Sequence, residues 1–218
     1  EFRRVLFRSL ILQQTLVLGI GLSAGTAREE NRFGQLIPVS RHYHGVLRIV
    51  MGKALCYLMV YAVMGTWLLI GVPRLFHFPQ LAQWQPLLIV MIPYVLACIF
   101  FGMSVSCMVK YRENVMLLMV FVSIPLLFMT GVSWPQSNIP GAWQGVSWLF
   151  PSTFGVRAYV RMNSMGASLA DVLSEFRILW VQAGAYFILA CAVYRYQIHQ
   201  ARQDVRNRLA EKKEKLSS

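Results

Sequence analysis

Five stretches of this chain, 10–27, 54–72, 87–109, 115–132 and 178–194, are apolar and contain no Asp, Glu, Lys or Arg. An α-helix rises about 1.5 Å per residue, so roughly 20 residues cross the ~30 Å hydrocarbon layer of a bilayer, with about 17 to 25 observed. All five stretches fall in that range. The chain as a whole is 56% hydrophobic and only 14% charged, outside the usual composition of a soluble domain. The expected fold class is therefore an all-α integral membrane protein with five transmembrane helices. Pro93 and Pro125 lie inside two stretches, which a bilayer tolerates because neighbouring helices take up the freed carbonyls.

The net charge of +12 does not point to nucleic acid, because no motif for it accompanies the charge. The basic residues sit instead in the connections. Arg28, Arg32, Arg41, Arg48 and Lys53 mark the first, and Lys110 and Arg112 the third; seven more, from Arg195 to Lys215, mark the C-terminal tail. These regions alternate correctly to share one face, which the positive-inside rule makes cytoplasmic. The other face carries Arg74, Arg157, Arg161 and Arg177. This orientation sets Arg3, Arg4 and Arg8 on the wrong side. Residues 1–9, which lack an initiator Met, are thus expected to be a truncated or non-native leader, with an earlier span missing.

No chemistry of bond-making is visible. Gly52-Lys53 is followed by Ala54 and lacks the earlier glycine of a phosphate-binding loop, and no HExxH or carboxylate cluster occurs. The expectation is no catalytic residue, no metal site and no cofactor. Cys56, Cys98, Cys107 and Cys191 all lie in apolar runs without CxxC spacing and read as small packing residues.

Three other segments carry information. The first connection, 28–48, alternates charge with Phe33, Leu36 and Ile37 up to Pro38, a short amphipathic pattern suited to the membrane surface or to docking a partner. The fourth connection is rich in Trp, Pro and Gly. It is expected to form a hairpin of two short helices across 133–165, the first from Asn138 and Pro140 to about Leu149 and the second from Pro151 to about Asn163. Trp134, Trp143, Trp148 and Tyr159 suit headgroup anchoring, and a hairpin dipping into the outer leaflet is the sharper alternative. In the tail, 196–218, Ile198, Ala201, Val205 and Leu209 form a stripe that extends the last span toward anionic lipid or a partner, with a membrane-hugging tail as the default. Gly21 and Gly25 form a GxxxG pattern, read as packing within one subunit.

Taken together these residues resemble the permease subunit of type-2 ABC transporters. The match is carried by Glu29, Glu30, Gly34, Leu36, Pro38 and Gly52-Lys53 around the first connection, and by Gly131, Trp134, Pro135, Pro140, Trp143, Pro151 and Gly166 in the fourth. Arg32 and Gln35 depart from the Glu and Thr that the family often has around the loop glycine.

The resemblance implies a permease domain over 10–195 whose five helices are the second to sixth of six. It implies two permease subunits, alike or different, pairing in a bacterial cytoplasmic (inner) membrane with the C-terminus inside. A separate cytoplasmic ATPase subunit would bind the ATP, and cargo would move outward. Coupling to that ATPase is assigned to Glu29, Glu30, Phe33, Gly34, Leu36 and Pro38, and an external gate to Gly131, Trp134, Pro135, Pro140, Trp143 and Pro151. The rivals are an ion-coupled secondary transporter, disfavoured by spans without charge, and a non-transporting scaffold or sensor.

Overall fold

The structure, a computed structural model, describes residues 2–29, 45–75, 84–106, 114, 117, 121, 125 and 141–217. Six helices are labelled here: α1 (Phe2–Glu29), α2 (Gly45–Thr66), α3 (Trp84–Val105), α4 (Gly141–Ser147), α5 (Pro151–Met165) and α6 (Leu173–Ser217). A π turn, Trp67–Gly71, and one further α turn, Val72–Leu75, continue α2. Among the described residues there is no strand.

Gly45–Thr66, Trp84–Val105 and Leu173–Gln200 are long and apolar enough to cross a membrane, and Ile11–Thr26 is a shorter apolar helix within α1. In the expected stretch 115–132, Leu117, Phe121 and Pro125 are helical, and its other residues lie outside the described ones. The chain is an all-α membrane protein.

Packing follows from how apolarity is distributed around each helix. α3 is apolar on every side and runs unbroken through Pro93, so it can be buried all round. It takes the centre: Tyr94, Ala97, Cys98, Ile99 and Met103 are at most 1% exposed. α3 pairs most extensively with α6 and also touches α1, α2 and α5.

α1 lies parallel to α3. The Cys98 thiol donates to Gln13 Oε1 at 3.5 Å, and further along both helices the backbone at Gly102 approaches Ile20 and Val17. α2 runs antiparallel to α1, since Gly65 faces Leu12 while Gly19 faces Tyr61. Gly21 and Gly25 are buried within the chain itself. α2 is the peripheral helix, exposing Leu55, Met59, Val63, Met64 and Trp67, as a lipid-facing span does.

Helix ends differ from the charge-free stretches because backbone hydrogen bonding, not charge, ends a helix. α2 begins at Gly45, nine residues before the stretch that starts at Ala54, and α6 continues through the basic tail to Ser217. α1 reaches Glu29, the second residue of the expected first connection.

Candidate functional site

The fourth connection meets the bundle at a place that its sequence only half reveals. α4 ends in a turn at Trp148 and Leu149, Phe150 is extended, and Pro151 opens α5 with its φ already suited to a first helical turn. α5 closes on Gly166, whose φ of 64° is left-handed, and the Ala167 N–H donates back to Arg161 O at 3.2 Å. A side chain is disfavoured in that conformation, which accounts for the glycine.

Three hydrogen bonds and two ring contacts fix the turn 148–150 and α5, which runs antiparallel to α6. Gln182 Nε2 donates to Trp148 O at 2.6 Å, and the Tyr186 hydroxyl donates to Leu149 O. One end up, Arg161 Nη1 donates to Glu175 Oε1 at 2.7 Å in an ion pair. Finally, Phe101 of α3 meets both Phe150 and Tyr186 edge-on, at centroid distances of 5.7 and 5.3 Å. Such edge-to-face pairs add about 0.5–1.5 kcal/mol beyond area burial.

These contacts measure depth. Leu173–Gln200 is the apolar span of α6, and Tyr186 lies at its middle, about 16 Å along the helix from Glu175. The turn Trp148–Phe150 therefore sits halfway down the bundle, and α5 climbs back to the level of Glu175.

α5 is a polar helix in an apolar setting. Ser152 and Thr153 are fully buried, and Asn163 and Tyr159 nearly so. The hydroxyls of Ser152 and Thr153, Asn163 Oδ1 and Gln182 Oε1 have no hydrogen-bond partner among the described residues. Leaving such a group unsatisfied costs about 1–3 kcal/mol. The Arg157 guanidinium lies 5.5 Å over the Phe154 ring. α5 comes this close to α3 because Gly155 has no side chain: a Cβ there would overlap the Tyr94 ring. The result is a set of buried polar groups along α5, with Ser152 and Thr153 at the level of the middle of α6. Among the described residues no three His, Cys, Asp or Glu side chains cluster. Elsewhere, α2 and α3 flank an apolar groove of about 250 Å³ lined by Leu58, Leu87, Met91 and Val95 among others.

The residues singled out in the sequence distribute unevenly. Trp143 is 53% exposed and Trp148 58% exposed, whereas Tyr159 is 2% exposed and so packs in the bundle rather than anchoring at headgroups. Pro151 is buried at the tip of α5. Gly131, Trp134, Pro135 and Pro140 lie outside the described residues, as do Glu30, Phe33, Gly34, Leu36 and Pro38; Glu29 is the last residue of α1.

Glu175, Gln182, Tyr186, Tyr94 and Gly155 organise the site and escaped the sequence reading. A lone Glu at the mouth of the last span and a lone Gln inside it were the available signals.

A search among curated proteins finds no match. The profile described as ABC-2 family transporter protein matches residues 9–192, which runs from within α1 through α5 and along α6 almost to Tyr194. That is most of the chain, so the protein belongs to the ABC-2 transporter family and is a multi-pass transport permease of the ABC type.

Proposed function

We propose that this chain is the membrane subunit of an ATP-driven exporter in a bacterial cytoplasmic membrane, paired with a second permease subunit and resting on a separate ATPase. The observation that carries this reading is the turn Trp148–Phe150, fastened by Gln182 and Tyr186 to the middle of α6. A permeation path needs a polar surface at mid-depth that can be shut from one side. A hairpin entering from the face opposite the basic connections supplies both.

In this scheme the loop after α1, from Glu29 to Pro38, takes the motion of the ATPase on nucleotide binding. Displacement of α6 then moves the hairpin that it holds, and the gate residues from Gly131 to Pro151 open the outer mouth. ATP binds to the partner and the permease supplies no catalytic group. The C-terminal half of α6 lies on the ATPase side. The apolar groove beside α2 and the hydrogen-bonding α5 together suit a cargo with an apolar body and a polar head.

The test is co-expression of the permease with the ATPase encoded beside it, followed by reconstitution in vesicles. ATP-dependent movement of an amphipathic probe supports the reading. Transport that ignores ATP but follows an imposed proton or sodium gradient would instead establish the ion-coupled rival.

A further inference from the structure

Lys53 is treated by the sequence as one more positive charge at a membrane boundary, yet its position is unusual for that role. A boundary lysine lays its stem along apolar surface and lifts the ammonium into water. Lys53 is instead half-buried, with Nζ donating to the Tyr194 hydroxyl at 3.4 Å and standing 5.1 Å from the centre of its ring. Tyr194 is 2% exposed. An ammonium over an aromatic face is attracted by the ring quadrupole, more strongly where water is excluded.

Location gives the contact its meaning. Lys53 stands eight residues into α2, the helix that follows the first connection. Tyr194 stands on the same helix as Gln182 and Tyr186, which hold the turn Trp148–Phe150. From Tyr194 to Gln182 is twelve residues of unbroken helix, about 18 Å. Glu175, which pairs with Arg161, stands about 28 Å away, close to the thickness of a hydrocarbon layer. α6 is thus gripped at one end by the helix leaving the first loop and at the other by the hairpin.

We propose that Lys53 is a positioning residue: through Tyr194 it locks the start of α2 to α6, so that movement of the first loop reaches the turn Trp148–Phe150. This rests on the reading of the chain as an ATP-driven permease. It assigns one contact the task of linking the two ends of that mechanism.

The experiment uses the full permease with its ATPase in vesicles and compares wild type, Lys53→Met, Lys53→Arg, Tyr194→Phe and Tyr194→Leu. Four quantities are read: ATPase retained on purification, thermal midpoint, ATP hydrolysed and probe moved. In Lys53→Met the probe moved per ATP is expected to fall by a factor of roughly 2 to 30, with hydrolysis and assembly unchanged. Lys53→Arg keeps a cation over the ring and restores the ratio. Tyr194→Phe, which keeps the ring, falls less than Tyr194→Leu. The double variant Lys53→Met/Tyr194→Leu is no worse than the more impaired single variant, as expected when both remove the same interaction.

An unchanged ratio in Lys53→Met overturns the proposal. So does a loss in which hydrolysis, midpoint and transport decline together and Lys53→Arg fails to rescue, since that is the signature of a purely structural contact. Failure of wild type itself to move probe with ATP would condemn the functional reading instead, and the proposal with it.

Discussion

Gly155 leaves no room for a single added carbon. Its backbone lies against the face of Tyr94, which is itself 1% exposed and cannot swing aside. Gly155→Ala is expected to cost about 1–3 kcal/mol through overpacking, seen as a lower thermal midpoint in detergent, and Tyr94→Leu in the same chain should recover part of the loss. The turn before α6 offers a pH-dependent contrast. Asp171 accepts hydrogen bonds from the Ser168 backbone N–H at 2.9 Å and from its hydroxyl at 2.7 Å, and these hold its carboxyl below the ordinary value of 3.8. A depressed carboxylate pKa stabilises the fold above the unfolded-state value, and that contribution disappears as pH falls through the folded-state value. Asp171→Asn should therefore melt lower than wild type at pH 7, and the difference should vanish in acid below the native pKa. None of these roles was legible in the sequence. A glycine whose need is set by a ring on another helix looks like any of the 15 glycines, and a capping Asp shows only once its turn exists.

α5 and α6 illustrate what is legible in an element and what is not. The proline at 151 and the glycine at 166 bracket a helix, and the structure places Pro151–Met165 between them. Its burial was hidden, because a segment with Ser152, Thr153, Arg157, Arg161 and Asn163 reads as a surface helix until α3 and α6 are in place around it. The start of α2 was hidden for a related reason. Lys53 looks like the end of a span only if its charge must face water, and Tyr194 removes that requirement. The clamp on the turn Trp148–Phe150 makes a separable prediction. Tyr186→Phe leaves Leu149 O without its donor at a cost of about 1–3 kcal/mol. Hydrogen exchange should then quicken across 147–155 while the middle of α6 keeps its protection. Uniform quickening through both helices would mean that the turn has no independent mobility.

The molecule as a whole was readable in outline because a bilayer imposes one rule on every span, and 218 residues with so few charges leave little else to form. Its sidedness gives a direct check. In a cysteine-free background, Ala170→Cys beside the α5–α6 turn and Gln203→Cys in the extension of α6, both exposed positions, should react with an impermeant maleimide from opposite sides of intact cells. The first should react at once and the second only after permeabilisation. Labelling of both from one side would invert or break the proposed topology. The length of α6 has one more effect. At 45 residues it is about 68 Å long, more than twice the apolar layer, and it contains no break beyond Tyr194. A continuous helix of that length outruns the apolar layer, so α6 carries the chain well past it.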